Sequence, residues 1–312
     1  MSDPLLIVGT GAMACLFGAR LAPHAQVTLL GTWSDGLRAL QQDGIRLDEN
    51  GRTQPVRVRA TSQVADCRGA SQALVLVKSW QTTRAARQLA ECLAPQGVAL
   101  TLQNGLGNLE TLQAELGPER PALGVTTVGA TLLGPGWARA GGSGPTYLAA
   151  HPRLEPLAEL LQEAGFDVQP AEDLQGLVWG KLAINAGINP LTALLEVPNG
   201  ELLVRPGARE LMRAAAQETA AVAAARGLQL PYPDAAARVE EVAQRTASNI
   251  SSMLQDIRRG APTEIDAING AVVREGERHG ALTPLNWTLW NLVRAKVNGA
   301  PPDRMIARSE VA

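Results

Sequence analysis

The strongest constraint on the fold lies at the N-terminus. The apolar run Leu5-Leu6-Ile7-Val8 leads straight into Gly9-Thr10-Gly11-Ala12-Met13-Ala14, and an Ala/Leu-rich helical segment follows to about Ala22. A strand that feeds a G-x-G-x-x-G/A turn and then a helix opens a dinucleotide-binding βαβ unit. Gly9 permits the tight turn. Gly11 lets the backbone approach a pyrophosphate seated on the helix N-terminus, and Ala14 is small enough for helix and strand to pack. On this reading Gly9, Thr10, Gly11, Ala12, Met13 and Ala14 are cofactor-binding positions. The alternative is a glycine turn in an α/β fold that binds nothing, and the strand–turn–helix context argues against it.

The pattern continues past the turn. Short apolar runs recur at Val27–Leu30, Ala73–Val77 and Val98–Leu102, with helical segments between them. The unbroken run 73–77 suits a strand buried on both faces. Ile45–Asp48 and Val56–Arg59 flank Glu49-Asn50-Gly51, a hairpin-type turn. Residues 130–149 are rich in Gly and Pro with short β-prone pieces, and 154–164 reads as helix. From about Asp173 strand signals stop, and helical patterns cover 174–189, 207–226, 234–247, 263–279 and 284–298. Pro190 is expected to end the first of these. Thr283-Pro284 reads as an N-cap before a first-turn proline, Thr263 with Asp266 as a capping box, and Gly227 and Gly280 as C-terminal glycines. At about 150 residues per domain, 312 residues suit two domains. The expected architecture is α/β: a Rossmann-type dinucleotide-binding domain over 1–172, followed by an all-helical domain over 173–312.

Composition narrows the function. Twenty-eight basic against 30 acidic residues leave a formal charge of -2, so nothing favours a nucleic-acid or anionic-membrane partner. Cys15, Cys67 and Cys92 are odd in number and lack metal spacing, which points to a reducing, cytoplasmic setting and no metal site. The N-terminus carries no secretory pattern, and no apolar run is long enough to span a membrane. His24, His151 and His279 fit no catalytic triad, and His279 beside Gly280 reads as a helix-end residue. Only Lys78, Lys181 and Lys296 are lysines among the basic residues. Arginine cannot usefully release a proton, so each lysine is a candidate for acid–base work.

The most informative stretch is Trp179-Gly180-Lys181-Leu182-Ala183-Ile184-Asn185-Ala186-Gly187-Ile188-Asn189-Pro190. Lys181, Asn185 and Asn189 recur every fourth residue, along one face of an otherwise apolar helix. Such a helix is buried, so the three polar groups need partners. They form an internal network or they line a cleft, and the cleft is favoured because a ligand supplies the missing acceptors. Lys78 follows the run 73–77 and Asn104 follows the run 98–102, at strand ends where open α/β sheets bind ligands. Alone, Asn104 also reads as an Asn-Gly turn and Glu264 as a first-turn acid. At the end of the second strand, Thr32 and Ser34 are hydroxyls suited either to a 2′-phosphate or to a helix N-cap. Trp287 and Trp290 read as buried core.

Taken together, these motifs resemble the ketopantoate reductase (2-dehydropantoate 2-reductase) family. The likeness runs in order through Gly9–Ala14, Val77-Lys78-Ser79-Trp80-Gln81 and Gln103-Asn104-Gly105-Leu106-Gly107. It continues through Lys181–Asn185, Ile188–Ala193, Pro198–Leu202, Asn249–Asp256 and Thr263–Gly270. The resemblance implies NADPH-dependent reduction of a 2-keto acid, within pantothenate and coenzyme A synthesis. It implies that Lys181 is the proton donor, and that Asn104, Lys181, Asn185, Asn189, Asn199, Asn249 and Ser252 bind substrate. It implies cofactor contacts at Lys78, Asn104, the backbone near Gly129, and Glu264. Two positions depart from the family pattern: Ala14 stands where a third glycine is frequent, and Thr32 where an arginine is often found. The partner implied is a small 2-keto acid, and the sequence leaves a homodimer open.

Overall fold

The computed structural model describes residues 4–298, so the outermost parts of both expected domains, 1–3 and 299–312, lie outside it. The chain divides into two compact units. One holds the residues up to Gln103 together with Gly107–Leu174, and the other holds Asn104–Leu106 and the residues from Gln175 onward.

The first unit is built from β1 (Pro4–Val8), α1 (Ala12–Leu21), β2 (Gln26–Leu30), α2 (Ser34–Gln42), β3 (Ile45–Glu49), β4 (Arg52–Val56), β5 (Arg59–Thr61) and β6 (Ala70–Val75). It continues with α3 (Thr82–Cys92), β7 (Leu93–Thr101), α4 (Asn108–Leu116), β8 (Pro121–Thr126), β9 (Ala130–Gly134), β10 (Trp137–Ala140), β11 (Thr146–Leu148), α5 (Glu155–Glu163) and β12 (Val168–Pro170). An eight-stranded sheet runs β12-β11-β8-β7-β6-β1-β2-β5. Pairing is parallel from β5 across to β8. Counting only these strands, the order is the 3-2-1-4-5-6 of dinucleotide-binding sheets, and its switch point lies between β1 and β6.

Side-chain alternation explains the layering. Leu5 and Ile7 face a core shared with α1 and α5, whereas Leu6 and Val8 face a second core shared with α3 and α4. A smaller sheet, β4-β3-β10-β9, packs on the outer side of α1. Its hairpin differs from the sequence reading. The turn is Asn50-Gly51, both with positive φ, and the second strand is Arg52–Val56 rather than Val56–Arg59. Two left-handed residues close a two-residue turn whose twist matches the strands. Arg59–Thr61 instead pairs with β2.

The second unit is helical: α6 (Leu174–Leu195), α7 (Glu201–Val204), α8 (Pro206–Ala225), α9 (Ala235–Arg245), α10 (Ser252–Arg258), α11 (Asn269–His279) and α12 (Pro284–Asn298). Three expectations are corrected here. First, α6 runs on through Pro190 to Leu195. Second, α11 starts at Asn269, and Thr263 and Asp266 form no capping box; Asp266 accepts instead from Trp290 Nε1 at 2.6 Å. Third, Trp287 is exposed, because α12 turns Asn286, Leu289 and Val293 inward. Among the described residues no helix is long and apolar enough to cross a membrane.

Candidate active site

In the α/β unit the glycine turn sits at the switch point. The Gly9 N–H donates to Leu30 O at 2.8 Å, and Gly9 has φ +138. A Cβ there would lie 3.0 Å from Leu76 O, so a side chain is excluded by both backbone and neighbour. Gly11 is the N-cap of α1, no side chain caps that helix, and a Cβ on Gly11 would meet open space. Ala14 is fully buried between helix and strand. The first-turn N–H groups of α1 and the bare Gly11 backbone thus fit a pyrophosphate. Thr10 lies over Gly31 at the end of β2. The N-cap of α2 is Trp33 with no side-chain cap, so neither Thr32 nor Ser34 serves as one.

Lys78 follows β6 in a loop pinned from the next strand. Gln103 Nε2 donates to Val77 O at 2.9 Å and to Thr82 Oγ1 at 2.8 Å. The Gly129 backbone is already committed within a glycine clasp: its N–H donates to Gly142 O at 3.1 Å, and its carbonyl accepts from Gly141 N–H at 2.7 Å. A cavity of about 410 Å³ lies at the opposite end of α1, beside the β3–β4 hairpin, and contains none of these residues.

In the helical unit, α6 lies between two apolar clusters, one around Trp179, Leu182 and Ala186 and one around Ile188 and Leu191. Lys181, Asn185 and Asn189 occupy its remaining face. By accessible surface Lys181 is half-buried. The atoms packed around its ammonium are nonetheless dense enough that desolvation lowers its pKa to about 8, while the Glu264 carboxylate pulls the other way. Glu264 is only 5 % exposed. It opens a tight turn in which the Ala267 and Ile268 N–H groups both donate to Glu264 O at 3.0 Å. Asn104 belongs to the same neighbourhood. Leu106 N–H donates to Ala267 O at 2.9 Å, and Gly105, with φ +82, presses on that carbonyl where any Cβ would overlap it.

The other expected residues are held by backbone links. Asn199 N–H donates to Asn249 O at 3.0 Å, and Asn199 Nδ2 donates to Thr246 Oγ1 at 2.9 Å. Asn199 Oδ1 is buried with no partner. Ser252 is the first residue of α10, whose N-cap is Ser251. Thr192 Oγ1 donates to Ser251 Oγ at 2.7 Å and so ties that cap to α6 near Asn189. Sequence reasoning passed over Thr192 and Ser251, since a hydroxyl that ties two helices together has no periodic signature. Lys296, the one lysine outside every motif, makes structural contacts: its Nζ donates to Leu194 O at 3.2 Å and pairs with Glu196 at 2.8 Å.

A glycine turn at the switch point of a parallel sheet, and a desolvated lysine near a carboxylate in a helical unit, define a dinucleotide-dependent oxidoreductase. The family model described as ketopantoate reductase PanE/ApbA matches residues 5–153, and its C-terminal model matches residues 173–297. A 2-dehydropantoate 2-reductase of Archaeoglobus fulgidus is 38% identical over 299 residues, covering 94% of this chain and 97% of the relative. The PanE/ApbA family ketopantoate reductase of Ralstonia eutropha JMP134 superposes with a TM-score of 0.88 at 33% identity, covering 95% of this chain and 99% of that one. A D-mandelate dehydrogenase solved with NADH and anilino(oxo)acetate gives a TM-score of 0.89 at 27% identity, covering 95% of this chain and 98% of that one. This chain belongs to the ketopantoate reductase family.

Proposed function

We propose that the protein reduces the 2-keto group of 2-dehydropantoate to give pantoate with NADPH, as a cytoplasmic step of pantothenate and coenzyme A synthesis. The observation that carries this reading is Lys181, set on α6 with its ammonium desolvated, under the field of Glu264, and in line with Asn185 and Asn189. On this reading residues 1–172 serve the dinucleotide and 173–312 the substrate. Gly9–Ala14 and Lys78 hold the cofactor, as do the chain at Gly129 and Glu264. Since the Gly129 polar groups are paired, its contribution is a smooth backbone surface. Thr32 and Ser34, which do not cap α2, are the hydroxyls offered to a 2′-phosphate.

The dinucleotide, when bound, supplies the hydride that reaches the 2-carbon. Negative charge then develops on the keto oxygen, and the Lys181 ammonium stabilises it and passes it a proton. A pKa near 8 leaves the lysine mostly protonated at neutral pH, yet makes it a better acid than an exposed lysine. Asn185 and Asn189 orient the substrate without adding charge beside the lysine. Asn199, whose buried Oδ1 lacks a partner, is suited to accept from a substrate hydroxyl. Asn104, Asn249 and Ser252 complete the substrate contacts.

Steady-state rates test the assignment. Lys181→Ala should lose kcat by about two to four orders of magnitude, the range for a removed general acid, while nucleotide affinity measured by fluorescence titration holds. Lys181→Arg should fail too, because a guanidinium does not release its proton. Near-normal turnover in either variant would remove Lys181 from the mechanism.

A further inference from the structure

Pro190 lies inside α6 and has no N–H, so the Ala186 carbonyl one turn earlier loses its helical donor. That carbonyl has a replacement. Asn269 Nδ2 donates to Ala186 O at 3.1 Å and, with its other hydrogen, to Asn286 Oδ1 at 2.9 Å. Asn286 Nδ2 in turn donates to Ala215 O at 3.1 Å and to Glu218 Oε2 at 2.8 Å. Glu218 also accepts from the Leu285 and Asn286 N–H groups, at 2.9 and 2.8 Å, which caps α12. Asn269 is fully buried, and its Oδ1 has no partner. An apolar side chain here would avoid that orphaned acceptor but would leave Ala186 O and Asn286 Oδ1 without this donor, so the contribution of the amide lies in its nitrogen.

Where Asn269 stands is as telling as what it bonds. It is the first residue of α11, directly after the turn that carries Glu264. Its contact on α6 falls between Asn185 and Asn189, on the helix that carries Lys181. One amide therefore fastens the element bearing the carboxylate to the element bearing the lysine. We propose that Asn269 is a positioning residue: by holding the carbonyl that Pro190 leaves without a donor, it fixes the Lys181–Asn185–Asn189 line of α6 against the Glu264 turn. Its catalytic consequence rests on the proton-donor role given to Lys181 above, whereas the fastening itself does not.

The test is a cycle of Asn269→Ala and Pro190→Ala in the full chain. Pro190→Ala returns an N–H to Ala186 O and makes the Asn269 donor redundant there. Asn269→Ala alone should lower kcat by about 10- to 100-fold, the scale of small misplacements of reacting groups, with nucleotide KM unchanged. In the Pro190→Ala background the same substitution should cost much less. A second readout needs no turnover. The chain has three lysines, so protein labelled with 13Cε-lysine gives three signals by NMR, among which Lys181 is followed against pH. Glu264→Gln should lower the Lys181 midpoint, and less so in Asn269→Ala with or without Pro190→Ala, because neither variant keeps the amide that joins α11 to α6. Equal kcat losses in both backgrounds, or an unchanged Glu264→Gln shift, would overturn the proposal. Folding of Asn269→Ala only when Pro190→Ala is present supports it, and failure to fold in both backgrounds overturns it. A wild-type protein that reduces no 2-keto acid refutes the functional reading, and the NMR arm still decides the role of Asn269.

Discussion

At Lys181 two effects of opposite sign meet. Burial lowers the pKa and Glu264 raises it, and burial wins, leaving the value at about 8. A proton donor must start protonated, so kcat/KM should fall as pH rises through about 8. Glu264→Gln removes the raising influence and should move that limb to lower pH, read from a pH–rate profile. Stability has its own dependence. The folded pKa lies below the ordinary 10.5, so the folded state carries the protonated lysine at a penalty that is complete below about 8. That penalty is relieved as pH climbs from about 8 towards 10.5, where the unfolded chain also loses the proton. The gap corresponds to on the order of 3 kcal/mol. Lys181→Met should therefore raise the urea midpoint at pH 7 while abolishing turnover. An unchanged or lower midpoint would mean that the lysine is better solvated than its packing indicates. In sequence, Lys181 could be picked out because arginine dominates the basic residues and because an i, i+4, i+8 polar line interrupts an apolar helix. The pull of Glu264 could not, since it depends on the packing of α6 beside a turn far along the chain.

α6 carries the proposed Lys181–Asn185–Asn189 line, and it is anchored along its whole length. Tyr232 Oη donates to Gly180 O at 2.7 Å, Asn269 holds Ala186 O, Thr192 reaches Ser251, and Lys296 caps the C-terminal end. Such anchoring explains why the helix survives Pro190, where local rules expect a stop: another helix supplies the donor that the proline lacks. The capping box at Thr263 failed for a related reason. Asp266 is drawn to Trp290 Nε1, and the turn at Glu264 is fixed instead by Leu106 at Ala267. Patterns set within a few residues were legible, as in the glycine turn, the doubly buried β6 and the left-handed C-cap at Gly280. Outcomes set by partners distant in sequence were not. Two substitutions probe the element. Lys296→Met should lower stability by about 1 kcal/mol as the α6 terminus frays, whereas Lys296→Arg keeps a donor and should stay near wild type, both by thermal unfolding. Gly105→Ala combines a left-handed φ with overlap on the Ala267 carbonyl and should cost more than about 1–2 kcal/mol. Wild-type stability in Gly105→Ala would mean that the Asn104–Leu106 segment does not need its close approach to Ala267.

For the whole molecule, the sequence conveyed the α/β-then-helical order because strand-like runs stop near residue 173 and helical periodicity takes over. Placing Asn104–Leu106 with the helical unit was beyond it, since that membership depends on contacts far along the chain, with Ala267 and with the core around Trp179 and Leu182. Cofactor choice is a property of the β2 end, where Thr10 packs over Gly31 and Thr32 stands in the position often held by an arginine. With hydroxyls but no arginine here, the proposed preference for NADPH over NADH should be small, and kcat/KM with the two nucleotides measures it. Thr32→Arg should widen that margin. The most direct test of the account is the initial rate of NADPH oxidation with 2-dehydropantoate, wild type beside Lys181→Ala. The account predicts turnover by the wild type, loss of kcat by about two to four orders of magnitude in the variant, and a falling rate above about pH 8. No oxidation with 2-dehydropantoate alongside reduction of a different 2-keto acid, or an undiminished rate in Lys181→Ala, would contradict it.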